Sequence, residues 1–153
     1  MTIKEKKALF EQNKKIYESV LLTFEGADGY DVYNCSLPFT GKDGKKYIYG
    51  RVEEPEIWTN SMVYLFEETG KDSYKRVPNS MVYQLEDPFL QRIHGELILG
   101  GTHVRKSRGV LDTYYGYFYR GDETRMTYFT TGPDYMKDIR LVELANGKIG
   151  VFS

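Results

Sequence analysis

Three short segments carry residue types that could act together on a polar substrate: Tyr33-Asn34-Cys35, Gly50-Arg51-Val52-Glu53-Glu54 and Leu85-Glu86-Asp87-Pro88. Carboxylates such as Glu53, Glu86 and Asp87 can donate or accept a proton at a reacting oxygen, and an arginine can neutralise an anion or fork onto a carboxylate. Arg51 is the most informative of them, because it lies in an apolar run, Lys46 to Val52, where a guanidinium requires a carboxylate or a ligand. Glu53-Glu54-Pro55-Glu56 reads as a solvated loop, with a salt bridge from Glu53 to Arg51 as the alternative and Glu53 or Glu54 as a candidate base. Further along, His103 and the basic run Arg105-Lys106-Ser107-Arg108 follow a Gly-Gly-Thr segment and read as a loop, either solvated or anion-binding. Trp58, beyond Pro55 in a loop, offers either an exposed platform for a sugar ring or a packing surface. His94 at a hairpin tip and the lone Cys35 read as structural, and two histidines without ligand spacing make no zinc site.

The chain that carries these residues reads as all-β. Residues from Thr2 to about Asn13 are good helix formers with few apolar positions, so one short surface helix is expected within residues 1–16. From Tyr17 to Phe24 apolar residues alternate. Ten further short runs read as strands: Asp31 to Leu37, Lys46 to Val52, Met62 to Glu67, Ser80 to Leu85, Phe89 to Ile93, Glu96 to Thr102, Thr113 to Tyr119, Arg125 to Thr130, Ile139 to Leu144 and Lys148 to Phe152. Gly44, Gly95 and Gly147 each tip a hairpin, the last as Asn146-Gly147, the pair that favours a type I′ turn. In Tyr114 to Tyr119, Tyr115, Tyr117 and Tyr119 share one face, which suits cross-strand packing or sugar stacking.

The three hairpin glycines recur about 50 residues apart, and the segment from Asp87 to Leu99 resembles that from Asp138 to Val151. Four strands in about 50 residues is one blade of a β-propeller, with an ordinary β-sandwich as the rival architecture. Residues 17–153 then amount to between two and three blades, whereas closure takes 4–8. The expectation is an incomplete propeller: part of a longer domain, or a chain that self-associates through open blade faces.

Asn34 in Tyr-Asn-Cys-Ser-Leu-Pro-Phe, Arg51 in Gly-Arg-Val-Glu, and Glu86-Asp87-Pro88 ahead of an apolar strand, a glycine-tipped hairpin and Gly101-Thr102-His103 resemble the five-bladed propeller of glycoside hydrolase family 130. They are still more similar to domain-of-unknown-function family 1861. The resemblance implies a carbohydrate-active protein working on β-mannosides or related oligosaccharides by hydrolysis or phosphorolysis with inversion. It implies Asp87 as the general acid, acting directly or through a sugar hydroxyl, and Arg51 at the base of the sugar and phosphate site. Asn34 would contact substrate, with Glu53, Glu86, Trp58 and His103 around it. Inorganic phosphate would be a co-substrate, with no other cofactor. The family pattern continues Glu-Asp-Pro with Arg, where this chain has Phe89. A rival function is a non-catalytic propeller that binds sugars or proteins, or an inactive fragment.

The chain has 21 basic and 22 acidic residues and a formal net charge of -1, so no broad cationic field suits nucleic acid or anionic lipid. No apolar stretch approaches the ~18 residues of a membrane span, and Met1 to Lys15 lacks the apolar core of a signal peptide. With one cysteine and no intrachain disulfide, the expected setting is the cytoplasm.

Overall fold

A computed structural model describes residues 1–57 and 60–153. The helix α1 (Ile3–Asn13) is opened by Thr2, whose hydroxyl accepts from the Glu5 backbone N–H while the Glu5 carboxylate accepts from the Thr2 N–H. That reciprocal capping is its main support, since no residue of α1 is buried. No helix among the described residues is long and apolar enough to cross a membrane.

The remainder is strand. β1 (Thr23–Glu25), β2 (Asp31–Tyr33), β3 (Phe39–Thr40), β4 (Lys46–Glu53), β5 (Met62–Gly70) and β6 (Ser73–Arg76) form one sheet, ordered β1-β6-β5-β4-β2 with β3 also on β4. β7 (Glu86–Ile93), β8 (Glu96–Ser107), β9 (Val110–Gly121) and β10 (Met126–Thr131) form a four-stranded antiparallel meander. β11 (Arg140–Glu143) and β12 (Ile149–Phe152) pair as a third, two-stranded sheet. β7, the first strand of its unit, packs against β4 of the first sheet on one side and against β11 of the third on the other. The architecture is a partial β-propeller.

Alternation along single strands explains how each sheet buries both faces. On β4, Tyr47 and Tyr49 join Val63, Leu65, Leu85, Leu97 and Leu99 between the first and second sheets, whereas Ile48 and Val52 turn to Phe66 and Tyr74 on the opposite face. On β8, Leu97 and Leu99 face the first unit, and Ile98 faces Phe118, Ile139 and Leu141 toward the third. Each fully buried side chain of this size contributes about 1.5–3 kcal/mol of transfer free energy. Strands covered on both sides cannot afford polar residues except as a satisfied group, which is why Arg51 stands out on β4.

Several expectations are corrected. The segment Tyr17 to Phe24 is strand only from Thr23, where β1 pairs in parallel with β6. The run from Asp31 ends at Tyr33, because Asn34 takes φ 44 and breaks the ladder before β3 resumes it. β6, with the polar sequence Ser-Tyr-Lys-Arg, was not legible as a strand; only Tyr74 on it is buried. Ser80 to Leu85 makes one isolated bridge, Val63 to Tyr83, rather than a strand. The basic segment Arg105 to Arg108 is no loop: β8 continues through Ser107 into a tight turn at Arg108-Gly109, and β9 begins at Val110. Arg105 is paired there with Asp112 at 2.7 Å.

The turn types differ from expectation too. Left-handed φ at both central residues, the type I′ signature, occurs at His94-Gly95 (49 and 83) and Arg108-Gly109 (51 and 79). At Asn146-Gly147 only the glycine has positive φ, and the Asn146 side chain instead accepts from the Lys148 N–H at 3.1 Å. Asp43-Gly44 repeats that arrangement, Asp43 accepting from the Lys45 N–H at 3.0 Å.

Close approach of its cross-strand neighbours Phe89 and Phe118 within the second sheet makes Gly100 indispensable to this packing. A Cβ there would stand 2.2 Å from Phe89 Cε1 and 2.7 Å from Phe118 Cδ1. Gly100→Ala is expected to destabilise the chain by about 1–3 kcal/mol through overpacking, measured by urea unfolding; an unchanged midpoint would mean that the two rings are not held as described.

Candidate active site

The face of β4 that carries Tyr47 and Tyr49 toward the second unit continues, at the strand's far end, with Arg51 and Glu53. Packing of β7 on β4 brings Glu86 and Asp87, the first residues of β7, to the same place. Asn34 arrives from the break after β2, which is held beside β4 by the pairs Val32–Val52 and Tyr33–Arg51.

The resulting cluster centres on the Arg51 guanidinium, a side chain only 10% exposed. Its Nε and Nη2 donate to Glu53 Oε1 at 3.2 and 2.7 Å, and its Nη1 donates to Asp87 Oδ1 at 2.8 Å. Glu86 Oε1 lies 3.8 Å from Nη2. Asn34 Nδ2 donates to the same Asp87 Oδ1 at 2.6 Å, so that oxygen is doubly engaged. Glu53 is fixed in turn by the Tyr33 hydroxyl on Oε2 and the Ser61 hydroxyl on Oε1. Arg51 Cζ also lies 5.1 Å from the centroid of the Tyr33 ring. No buried side-chain polar atom among the described residues lacks a partner.

These contacts sort the carboxylates. Burial pushes Glu53 up, but the hydrogen bonds from Ser61, Tyr33 and Arg51 outweigh it and hold its pKa below the ordinary value. Asp87 behaves likewise: burial opposes ionisation, and Asn34 and Arg51 together overcome it. Glu86 goes the other way, raised by burial, with the Arg51 charge lowering it and the Asp87 charge raising it. Tyr33 is pushed up to about 12 by burial and by its bond to Glu53, so it remains a donor. The site therefore holds two anchored carboxylates and, beside them, one whose surroundings favour a proton.

Next to the cluster opens a cavity of about 270 Å³ lined by Asn34, Cys35, Asp87, Pro88, Asp138 and Arg140. Three of its residues, Asn34, Asp87 and Asp138, have φ of 44, 48 and 59, at the break in β2–β3, at the bulge in β7 and just before β11. One left-handed residue per unit thus turns the first strand at equivalent places.

Of the site residues expected from the sequence, Asn34, Arg51, Glu53, Glu86 and Asp87 are brought together. His103 is not among them: its Nδ1 lies 3.0 Å from the Gln84 carbonyl oxygen, and its ring packs 5.4 and 5.8 Å from Tyr115 and Tyr117. Trp58 lies outside the described residues. Glu54 is exposed, and Cys35 is a partly buried thiol pushed up to about 11 by desolvation, a poor nucleophile. His94 ties units together, its backbone N–H donating to Glu143 Oε2 at 2.7 Å and its Nε2 2.8 Å from the Gly147 carbonyl oxygen. No group of residues suited to a metal ion occurs among the described residues. Sequence reasoning missed the partners of Glu53. Ser61 became visible only through the register Val52–Met62, which sets it opposite Glu53, and Tyr33 through Tyr33–Arg51.

Removing one member of a buried, hydrogen-bonded ion pair leaves the other uncompensated. Arg51→Met is expected to cost about 3–5 kcal/mol in urea unfolding. The depressed pKa values of Glu53 and Asp87 mean that their ionised forms stabilise the fold above the ordinary carboxylate pKa, a contribution lost as pH falls through the lower folded values. Unfolding titrations should show a shallower loss of stability in acid for Glu53→Gln than for the unaltered chain; parallel acid profiles would contradict the anchored arrangement.

Comparison with known proteins places this geometry in context. The family model described as "Protein of unknown function (DUF1861)" matches residues 8–153. MPT-4, a mannose phosphorylase from Leishmania mexicana solved in complex with phosphate ion, is 61% identical, with a TM-score of 0.91 over 98% of this chain and 46% of that one. MPT-1, a GDP-Man-dependent mannosyltransferase from Leishmania mexicana, is 52% identical, with a TM-score of 0.92 over 99% of this chain and 48% of that one. A hypothetical protein from Leishmania major is 57% identical, with a TM-score of 0.84 over 95% of this chain and 48% of that one. The chain spans about half the length of these structures. Comparison with curated proteins gave no match. Matched over residues 8–153, the chain belongs to the family of proteins of unknown function DUF1861.

Proposed function

We propose that the chain contributes the sugar-binding half of a mannoside phosphorylase: an enzyme that transfers a mannosyl residue from a β-mannoside to inorganic phosphate with inversion, on a five-bladed propeller of which these units are part. The observation that carries the reading is the Asn34–Asp87–Arg51–Glu53 cluster at the mouth of an open cavity, in a chain 61% identical to a mannose phosphorylase.

In such a transfer a phosphate oxygen forms the new bond to the anomeric carbon while the glycosidic C–O bond breaks, and the departing oxygen takes the electron pair and a proton. Asp87 is the proposed proton donor, directly or through a neighbouring sugar hydroxyl. Its Oδ1 is occupied by Asn34 and Arg51, and no described residue bonds its Oδ2, the oxygen a sugar hydroxyl would meet. In the free site those partners keep Asp87 ionised. Phosphate entering the same cavity adds negative charge beside it and shifts Asp87 toward the protonated form an acid needs. Glu86, its proton favoured by burial, adjoins the site as a further donor to sugar oxygens. Glu53 is too fully engaged by Arg51, Tyr33 and Ser61 for proton transfer and serves as a positioning residue.

A second reading, mannosyl transfer from a nucleotide sugar, is favoured by the 52% identity to a GDP-Man-dependent mannosyltransferase. One experiment separates the two. The complete propeller protein to which these units are proposed to belong is incubated with β-manno-oligosaccharides and phosphate, or with GDP-mannose and mannose, and products are followed by phosphorus and proton NMR. The phosphorylase reading expects α-mannose 1-phosphate in the first mixture. Asp87→Asn should lower its rate by about 10²–10⁴-fold with cooperative unfolding retained. Product of the retained anomeric form, turnover only with GDP-mannose, or full activity of Asp87→Asn would refute it.

A further inference from the structure

Two residues beyond each left-handed position of the first strands, the three units carry Ser36, Phe89 and Arg140. The first two are taken up by packing. Ser36 Oγ accepts from the Tyr49 backbone N–H at 3.0 Å, and the Phe89 ring meets Phe118 edge-on at 6.0 Å. Arg140 has no such use. It is partly buried, lines the cavity that Asn34 and Asp87 also line, and no carboxylate among the described residues pairs with it. Its Nη1 donates to the carbonyl of its neighbour Ile139 at 3.2 Å, and its Cζ stands 4.8 Å from the centroid of the Phe89 ring.

A guanidinium carries five N–H donors, and here one of them is committed. The ring of Phe89 offsets part of the cost of withdrawing the cation from water and holds its plane, but an aromatic face supplies no acceptor for the remaining donors. The carboxylates that line the cavity, Asp87 and Asp138, repel an anion; of the cations acting on Asp87, Arg51 is already committed to carboxylates and Lys137 is an exposed point charge, so Arg140 is the forked donor on the cavity wall. Position 89 supplies no cation, and Arg140, at the equivalent place one unit further on, lies against it.

We propose that Arg140 binds the phosphate co-substrate in this cavity, as a specificity-determining residue that favours phosphate over water as acceptor. The proposal rests on the phosphorolytic reading above.

The test is isothermal titration of the full chain with inorganic phosphate and, separately, with mannose. Arg140→Ala should weaken phosphate binding at least tenfold and leave mannose binding within twofold, and Arg140→Lys, keeping the charge without the fork, should recover part of the loss. Arg140→Gln, nearly isosteric and neutral, gives the same reading should the alanine variant fail to fold. Unchanged phosphate affinity in the neutral variants, or equal weakening of phosphate and mannose, overturns the role of Arg140 while leaving phosphorolysis standing. An unaltered chain that binds mannose but no phosphate removes the phosphorolytic reading, and this inference with it.

Discussion

A guanidinium withdrawn from water organises the end of the sheets where the candidate site lies. Arg51 sits on the strand face that otherwise packs tyrosines and leucines between the first two sheets, where an unpaired cation would cost more than any single apolar contact returns. It is satisfied from its own strand by Glu53 and from the next unit by Asp87, with Glu86 adjoining. Those partners come from two sheets. The ion cluster therefore fixes how the sheets meet at this end, while the leucines and tyrosines supply most of the cohesion behind it. A buried ion pair of this kind need not add net stability over an apolar substitute, but it tolerates few alternative arrangements, which suits a site that must hold side chains in fixed directions.

The parts of this arrangement that follow from local pattern could be read in the sequence. The apolar surroundings of Arg51 demanded a carboxylate or a ligand, but Glu53 read as the start of a solvated loop; β4 instead extends through it and sets it, buried, two residues from Arg51 on the same face. Asn34 and Asp87 fall at matching points of a repeat of about 50 residues, so a radial array of strands would gather them. Register was not legible. Ser61 and Tyr33 reach Glu53 only because β4 pairs with β5 and β2 at particular offsets, and nothing in Asn60-Ser61-Met62 alone announces it. The strands on the far side of the first sheet were also poorly marked. β6 offers one buried residue and β1 pairs in parallel across a long separation, so neither displays the alternation that half-buried strands show. The Asn146-Gly147 pair misled for a related reason: its side chain caps the turn, which removes the need for a left-handed asparagine.

His103 illustrates how a plausible chemical residue becomes a structural one. Counted along β8 it is one step from Thr102, the register partner of Glu86, but adjacent strand residues face opposite ways. Its ring consequently packs at a tilt against Tyr115 and Tyr117 of β9, and its Nδ1 lies against the Gln84 carbonyl oxygen just ahead of the Glu86 segment. It supports the approach to the site without joining it.

The site is asymmetric although its scaffold repeats. Each unit bends its first strand with one left-handed residue, and the residues used are Asn34, Asp87 and Asp138, types that tolerate this conformation better than most. A conformation that costs about 1 kcal/mol or more at each position persists because the flanking pairs overdetermine it. The bend breaks the ladder just where a side chain must leave the sheet, and the same backbone device delivers an amide in one unit and carboxylates in the next two. What differs between units is then side-chain chemistry at fixed positions: Ser36, Phe89 and Arg140 in one set, Asn34, Asp87 and Asp138 in the other. A repeated fold can in this way change its ligand by substitution at two places per unit, without altering the strands that hold them.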